Sequence, residues 1–316
     1  MEEKEKATGE LFGRLFPAYD DELFNSSVKL LQDRFAENDF PLGWFVGKKC
    51  LDVGCGGGRY SLALSSLGVE SVTGIDISKE SISDARLRAI QLGIENVDFC
   101  VGSVTELPFE DESFDCVLFS GVLMHVANPI AALDELSRVV KSRGMLYLLV
   151  YATEGVRWPL IQMLRPICQS VGFERLDQAV AMSGLAANRR RTYLDDLFVP
   201  YIDFYSWQCL SNLLREKGFE NLNRWQNGRL DHEEDLEAYL TDLKGFLSLF
   251  EAASEHNRDD LDLTDSLILA GRDLCEAVVG HATKIRNLVS HGSLPEEDGR
   301  QILIGQGHHR VVAWKH

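Results

Sequence analysis

The sequence predicts an α/β protein whose core is a doubly wound, mostly parallel β-sheet. Three observations support this prediction. In residues 49–151, short runs rich in β-branched and aromatic residues alternate with helical stretches, and a glycine-rich turn follows the first run. Strand, helix and strand at this spacing form parallel sheets with helices on both faces. Two further strand-like runs, near residues 220 and 310, bring the predicted sheet to seven strands.

The elements of the central block follow one another without long gaps. The strand-like runs are KCLDVG, SVTGID, NVDFCVG, FDCVLFS and GMLYLLV, and the helical stretches are RYSLALSSLG, SKESISDARLRAIQLG and PIAALDELSRVVK. Ser78 is suited to cap the second helix, and Glu80 suits the positive end of its dipole. Gly93 ends that helix, and Pro129 opens the later one.

The flanking segments are predominantly helical in pattern. Residues 10–45 predict one or two amphipathic helices, and residues 153–197 predict an irregular helical region. YSWQCLSNLLREKGF reads as a helix before the strand ENLNRW, and HHRVVAWKH reads as the last strand. Two amphipathic helices are predicted between 231 and 304. Their apolar stripes are Leu236, Leu240, Leu243, Leu247 and Phe250 on one, and Leu267, Leu274, Val278, His281, Ile285 and Leu288 on the other.

Composition narrows the possible partners and the compartment. With 45% hydrophobic and 26% charged residues, the chain has the make-up of a globular protein. Its net charge of −17 argues against a nucleic-acid partner. No apolar run is long enough to span a membrane, and MEEKEKATGE is too charged for a signal peptide. The seven cysteines form no CxxC pair, so we expect buried thiols and a cytoplasmic location.

The glycine turn, Gly54-Cys55-Gly56-Gly57-Gly58, is the first indication of a ligand. Missing side chains let the backbone approach a ligand closely, and the helix that follows directs free N–H groups at the same place. Asp76 ends the second strand 20 residues after Gly56, where a carboxylate can accept the hydroxyls of an adenosine ribose. These features fit a nicotinamide dinucleotide and S-adenosylmethionine equally well.

The wider pattern separates the two cofactors. CLDVGCGGGRYSLALSSLG, VTGIDIS and the stretch from NVDFCVGSVTELPFEDESFDCVLFSGVLMHVANP to LYLLV together resemble the class I S-adenosylmethionine-dependent methyltransferases, and within them the small-molecule group. The dinucleotide dehydrogenases lack the LPFEDESFD and MHVANP blocks at this position. The resemblance covers residues 45–151 closely, and residues 200–226 with the terminal strand more weakly. It implies a Rossmann-like sheet of seven strands with the last antiparallel, and S-adenosylmethionine as cofactor.

The resemblance also assigns roles to individual residues. The methionine end of the cofactor would be surrounded by Asp52, Gly54, Cys55, Gly56 and Gly58. Asp76 would hold the ribose, with Ile77 against the adenine. The adenine pocket would be lined by Gly102, Ser103 and Val104, and the methyl group would lie beside Gly121 and His125. Ser103 departs from the acidic residue that the family usually carries, which implies a weaker hydrogen bond to the adenine amino group.

The same resemblance suggests a division of the chain. We expect an N-terminal helical lid (1–45), a cofactor-binding core (46–152), a helical substrate cap (153–204), the final helix and strands of the core (205–227 and 305–316) and a second helical insertion (228–304). The leucine stripes of this insertion suit a helical hairpin or a homodimer interface.

Candidate catalytic and substrate-binding residues lie in or beside the lid and the cap. His125 is a candidate general base, although it is equally suited to line the pocket. Tyr19 either closes over the cofactor or packs within the lid. Arg189, Arg190 and their neighbour Arg191 either clamp an acidic substrate or form a solvated helix face. Aromatic candidates for the substrate wall are Tyr193, Tyr201, Tyr205 and Trp207, although core packing is the more ordinary role for such residues.

We expect no metal site. The cluster DHEED at 231–235 lacks a second His at ligand spacing and suits a solvated helix start. His308 and His309 are adjacent on a strand and so point to opposite faces.

The sequence thus predicts methyl transfer from S-adenosylmethionine to an O, N or C atom of a small molecule by in-line displacement. The alternatives are a non-catalytic cofactor-binding partner subunit, a methyltransferase acting on tRNA or another macromolecule, and a dinucleotide oxidoreductase.

Overall fold

A computed structural model of the chain describes residues 2–15, 21–183, 185, 187–225, 235–255 and 263–316. It divides into two compact units, each assembled from separate stretches of the chain. The first unit comprises Met1–Tyr151, Pro200–Gly228 and His308–His316, and the second comprises Ala152–Val199 and Arg229–Gly307. No helix within the described ranges is both long enough and apolar enough to cross a membrane.

The first unit is built on a seven-stranded sheet with the order β3-β2-β1-β4-β5-β7-β6. Its strands are β1 (Lys49–Val53), β2 (Ser71–Asp76), β3 (Val97–Val101), β4 (Phe114–Ser120), β5 (Val140–Tyr151), β6 (Phe219–Arg224) and β7 (His308–Lys315). Strands β1 to β5 are parallel, and β7 lies antiparallel between β5 and β6. The predicted fold class is confirmed. Chain order reverses between β1 and β4, which is where ligands bind in open parallel sheets.

The described part of the chain contains twelve α-helices. They are α1 (Glu2–Leu15), α2 (Asp21–Ala36), α3 (Arg59–Ser65), α4 (Lys79–Gln91), α5 (Pro129–Val139), α6 (Arg157–Val171), α7 (Phe173–Met182), α8 (Ala187–Phe198), α9 (Trp207–Glu216), α10 (Leu236–Glu255), α11 (Leu263–Ser290) and α12 (Glu296–Leu303). Helices α1 to α5 and α9 belong to the first unit, and the others belong to the second.

Local signals set the ends of the core helices. The Ser78 hydroxyl accepts the N–H of Ser81 at 3.1 Å and caps α4, and Pro129 occupies the first turn of α5. Both are confirmed predictions. The Asn128 side chain also caps α5 by accepting the N–H of Ala131 at 3.1 Å. These caps satisfy N–H groups that the helices leave without internal partners.

The C-terminal half of α2 is part of the core of the first unit. Leu31 and Phe35 are fully buried, and the Phe35 ring lies 5.4 Å from the ring of Tyr147 and 4.9 Å from that of Trp225. Burying two such side chains stabilises the fold by about 1.5–3 kcal/mol each. The segment predicted as a lid therefore also supplies core packing.

The second unit is entirely helical in its described ranges, and one of its helices corrects the sequence analysis. The predicted stripe on α11 is wrong: His281 and Leu288 are exposed, and the buried face is rotated by one residue. That face is formed by Ile268, Gly271, Cys275, Val279 and Ala282. A Cβ on Gly271 would lie 2.2 Å from the Phe250 ring, so small residues let α11 approach α10 closely. Hydrophobicity favours the larger leucines and misses this kind of contact.

A buried charge network joins the two stretches of the second unit. The Arg157 guanidinium on α6 donates to Asp196 on α8 at 2.7 Å and to Asp242 on α10 at 2.8 Å, and all three side chains are at most 2% exposed. The Tyr193 hydroxyl donates to the Asp242 carbonyl at 2.9 Å, and its ring packs on Phe246. Helices from residues 152–199 and 229–307 are thereby held in one body.

Removing one carboxylate from this network tests its contribution to stability. Breaking a buried ion pair costs about 3–5 kcal/mol, so Asp242→Ala should lower the free energy of unfolding of the second unit by roughly that amount. The exposed pair Arg272–Asp273 offers a control. Asp273→Ala should cost less than about 1 kcal/mol. Urea denaturation followed by circular dichroism measures the free energy of unfolding of both variants. An equal loss of unfolding free energy in the two variants would contradict a stabilising role for the buried network.

Candidate functional site

The glycine turn lies at the carboxyl end of β1, beside the point where strand order reverses. Gly54, Gly56 and Gly58 all have positive φ, at 68°, 52° and 79°. A Cβ would lie 2.3 Å from Val122 at Gly54 and 2.7 Å from Phe99 at Gly58, whereas nothing lies within 4 Å at Gly56. The outer glycines therefore permit close packing of the turn, and the middle one leaves open space above its backbone.

Asp76 at the end of β2 holds the turn in place. Its Oδ2 accepts the N–H of Gly56 and its Oδ1 accepts the N–H of Ser78, both at 2.8 Å. Burial raises the pKa of Asp76, although backbone N–H groups act in the opposite direction. Each carboxylate oxygen has a second lone pair, so Asp76 can still accept hydroxyl groups from a ligand.

Two side chains assigned to the methionine end of a cofactor lie beneath the turn. Asp52 is 2% exposed and accepts the Ser61 hydroxyl at 2.7 Å. Burial raises the pKa of Asp52 to about 7, with the Ser61 hydrogen bond acting against it. The Cys55 thiol is buried and 3.6 Å from the Gly56 carbonyl. Both side chains support the turn, and a ligand contact from Cys55 would have to come from its backbone.

The residues predicted for the adenine pocket follow β3 and lie next to Asp76. The N–H of Gly102 donates to the Asp76 carbonyl at 3.0 Å. The Ser103 hydroxyl is 2.8 Å from the Thr105 hydroxyl and accepts the Thr105 N–H at 3.3 Å. Ser103 and Val104 are partly exposed. Both side chains are therefore partly accessible to solvent beside Asp76.

Gly121 and His125 follow β4 on the other side of the turn. Gly121 has φ +78° and open space where a Cβ would lie. His125, in the 3-10 helix Leu123–His125, is 6% exposed, and its Nδ1 is 2.9 Å from the carbonyl of Tyr201. Because a carbonyl only accepts, Nδ1 must carry the proton. The neutral ring then has its lone pair on Nε2, where a base needs it.

The segment that supplies the Tyr201 carbonyl runs alongside the ends of β4 and β5. The N–H of Asp203 donates to the Met124 carbonyl at 2.9 Å, and the N–H of Tyr205 donates to the Tyr151 carbonyl at 3.0 Å. The Tyr205 side chain is buried, and its carbonyl lies 2.9 Å from His309 Nε2. Tyr201 and Tyr205 therefore contribute their backbones to this edge, and substrate contacts by their rings remain a prediction.

Helix α1 lies across the same edge. A Cβ on Gly9 would lie 3.1 Å from Ile77, and one on Gly13 would lie 3.0 Å from the Ser78 hydroxyl. The Phe12 ring lies 5.6 Å from the His125 ring. One helix thus covers both the Asp76 side and the His125 side, and sequence analysis did not single out Phe12.

Arg34 is a second residue that sequence analysis missed. It is 2% exposed on α2 and donates to the Tyr60 hydroxyl at 2.6 Å, in the first turn of α3 after the glycines. Burial tends to raise the pKa of Tyr60, but the charges of Arg34 and Arg59 outweigh it and lower the pKa. Arg34 Nε has no hydrogen-bond partner among the described residues. The sequence signal that could have revealed Arg34 is its spacing from Leu31 and Phe35, which places the three residues near one face of the helix.

The remaining candidates are not brought to this edge by the described structure. Tyr193 is buried in the charge network of the second unit, which accounts for the residue without a ligand. Tyr19 and residues 231–234 lie outside the described residues, as do the side chains of Arg189 and Arg190. Asp235 caps α10 by accepting the N–H of Ala238 at 2.7 Å. Within the described part of the chain, no group of three or more metal-ligating side chains is arranged around a metal position.

The raised pKa of Asp52 predicts a pH-dependent stability. Folding favours protonated Asp52, and this contribution is lost as the pH rises from about 4 to about 7. Asp52→Asn keeps an acceptor for Ser61 and cannot ionise. We therefore expect its free energy of unfolding, relative to wild type, to increase between about pH 4.5 and about pH 7.5 in urea denaturation.

Asp115 supplies a control whose pKa shift has the opposite sign. Burial tends to raise its pKa, but the N–H of Lys49 and the Lys141 ammonium outweigh it and lower the pKa. Its contribution is fully present above about pH 4 and is lost as the pH falls below that value, so the stability difference between Asp115→Asn and wild type should stay constant between about pH 4.5 and about pH 7.5 and should shrink only at lower pH. Parallel curves for wild type and Asp52→Asn would refute the burial argument.

Comparison with known proteins identifies the central block. The family model described as a methyltransferase domain matches residues 51–148. The ubiquinone biosynthesis O-methyltransferase of Alkalilimnicola ehrlichii is 41% identical over 104 residues, which is 33% of this chain and 41% of that protein. Its namesake from Xanthomonas axonopodis pv. citri is 40% identical over 104 residues, 33% of this chain and 43% of that protein. The chain spans about two fifths of the length of these relatives.

A solved structure shows a similar fold over a longer range. The YcgJ protein of Bacillus subtilis is 19% identical, with a TM-score of 0.50, and the match covers 92% of this chain and 98% of that one. This likeness concerns the fold alone. Together with the match to residues 51–148, it confirms the predicted resemblance. Residues 51–148 of this chain therefore match a methyltransferase domain, on a sheet of the fold that the resemblance implies.

Proposed function

We propose that this protein transfers a methyl group from S-adenosylmethionine to a small-molecule acceptor by in-line displacement. One observation carries the proposal. The open turn at Gly56, the acceptor oxygens of Asp76 and the oriented imidazole of His125 meet at one edge of one sheet. The turn and the Asp76 carboxylate suit the binding of a nucleoside, and the His125 imidazole suits the removal of a proton from an acceptor.

The residues at this edge fit the cofactor. Asp76 would accept the ribose hydroxyls, and the stretch Gly102–Val104 would flank the adenine. Open space at Gly56 and Gly121 admits the methionine end and the methyl group. Arg34, buried beside the first turn of α3 with an Nε that lacks a partner in the described ranges, suits the cofactor's carboxylate. When bound, S-adenosylmethionine supplies a methyl group activated by the adjacent sulfonium.

The protein's part in the reaction is alignment, exclusion of water and proton transfer. Alignment in a dry site contributes about 7–11 kcal/mol in favourable cases. Phe12 on α1 covers His125. With Nδ1 held by the Tyr201 carbonyl, Nε2 of His125 would take the proton of an acceptor hydroxyl or amine.

Oxygen is the acceptor atom that we favour. The relatives that match the core are named O-methyltransferases. A hydroxyl must lose its proton to become a strong nucleophile, and a neutral imidazole is suited to accept that proton. The net charge of −17 disfavours tRNA as the acceptor.

Cofactor binding is tested by thermal unfolding with S-adenosylmethionine, S-adenosylhomocysteine and NADH. A ligand at about 100 times its Kd stabilises the folded state by about 2.7 kcal/mol, so both adenosyl compounds should raise the Tm and NADH should not. Asp76→Asn loses the charged acceptor and should weaken binding at least about tenfold. Asp98→Asn, exposed on β3, is the control and should bind normally. A Tm shift with NADH alone would overturn the proposal.

Transfer itself is tested with S-adenosylmethionine carrying a tritiated methyl group. A panel of phenols, carboxylic acids and amines serves as acceptors. His125→Gln should lower kcat by about 10²–10⁴-fold, because general base catalysis contributes that much, while S-adenosylhomocysteine binds as before. His291→Gln, which changes an exposed histidine, is the matched control. Binding without transfer to any acceptor would favour the non-catalytic partner subunit, and unchanged turnover in His125→Gln would exclude His125 as the base.

A further inference from the structure

His308 is a histidine at the same edge of the sheet that the proposed function does not use. It is the first residue of β7 and pairs directly with Tyr151, the last residue of β5, in the antiparallel ladder. Directly opposed residues carry their side chains on the same face. His308 is 7% exposed and Tyr151 is 9% exposed. The two side chains therefore form a buried pair where β5 ends.

The Tyr151 ring packs against two imidazoles. Its centroid is 5.2 Å from that of His308, with the planes at 88°, and 5.5 Å from that of His125, with the planes at 85°. Edge-to-face contacts of this kind are favourable for aromatic rings. Phe204 stacks near Tyr151 at 6.3 Å and 24°. The planes of both imidazoles are thus nearly perpendicular to the Tyr151 ring, and both contact it.

The packing of neighbouring rings contributes to the orientation of His125. The bond from Nδ1 to the Tyr201 carbonyl holds one atom of the ring. Rotation about that atom is restricted by the rings packed on it, which are Tyr151 and Phe12. A catalytic group must be held within about 0.5 Å of its working position by packed neighbours. Tyr151 can supply that support only while its own ring is held.

We propose that His308 is a positioning residue for the reaction, which acts through the ring of Tyr151 to keep His125 in one orientation and in its Nδ1–H tautomer. The inference rests on the proposed function for the role of His125. It assigns to His308 a contact by its ring, not a proton transfer.

A buried residue of the same strand provides a matched control. Val311 on β7 is fully buried and pairs with Leu148 on β5. It lies three residues after His308, so the two side chains point to opposite faces of the sheet. His309 does not serve, because its Nε2 lies 2.9 Å from the Tyr205 carbonyl in the segment that holds His125. Val311→Ala removes buried apolar atoms from the strand and leaves His308 and Tyr151 unchanged, so it separates positioning from general loss of stability.

The test is long-range ¹H–¹⁵N correlation of imidazoles in the full chain labelled at histidine, with His125 assigned from the His125→Gln variant. Wild type should show a single Nδ1–H pattern for His125. His308→Phe, which keeps a ring, should retain it. His308→Ala should give the averaged shifts of a mixture of tautomers, and Val311→Ala should leave the His125 pattern unchanged.

Two results would overturn the proposal. One is an unchanged His125 pattern in His308→Ala. The other is that His308→Phe and His308→Ala lose the single Nδ1–H pattern of His125 to the same extent. Should His308→Ala fail to fold, Tyr151→Leu tests the same link and should give the same loss. The measurement needs no methyl acceptor. It can therefore fail while S-adenosylhomocysteine still binds, whereas failure of the proposed function would show first as absence of that binding.

Discussion

The hydrogen bonds between the Asp76 carboxylate and the N–H groups of Gly56 and Ser78 hold the candidate site together. They connect the turn after β1 to the end of β2 and to the N-terminal cap of α4. Without them, the N–H groups of Gly56 and Ser78 would lose these acceptors. A buried carboxylate with two N–H donors satisfies both partners at once. The turn can then hold its positive φ values while open space remains at Gly56. Every contact that we assign to a cofactor depends on this geometry.

The other half of the site is held by side chains from distant parts of the chain. His125 is oriented by a carbonyl from the segment after residue 200, by Tyr151 at the end of β5 and by Phe12 on α1. Its neighbour Met124 accepts an N–H from the same segment. Because three segments contact His125, its imidazole is held rigidly at the end of the sheet. A rigid group of this kind suits the alignment of a reacting molecule. Small shifts in any of the three segments would reach the imidazole.

The second unit solves a different physical problem, since its two stretches are far apart in the sequence. Arg157 bridges them through Asp196 and Asp242, and α10 approaches α11 closely at Gly271. A buried charge network specifies which helices meet, because any other pairing would leave charges unpaired in an apolar interior. Close approach over small residues then adds dispersion contacts. Tyr193 is part of this network, where its hydroxyl is satisfied by Asp242.

The sequence by itself determined the strands of the parallel core, the glycine turn, the place of Asp76 and the starts of α4 and α5, because these depend on local periodicity, backbone freedom and short spacings. The antiparallel last strand and the role proposed for His125 came from the resemblance to a known family. Tertiary structure decided the rest. Arg34 and Phe12 look like ordinary helix residues until folding brings Arg34 to Tyr60 and Phe12 to His125. The buried face of α11 escaped prediction because Gly271, Cys275 and Ala282 are small, and α12 because eight residues carry little periodic signal. Contacts between segments far apart in the chain leave no pattern in either segment alone.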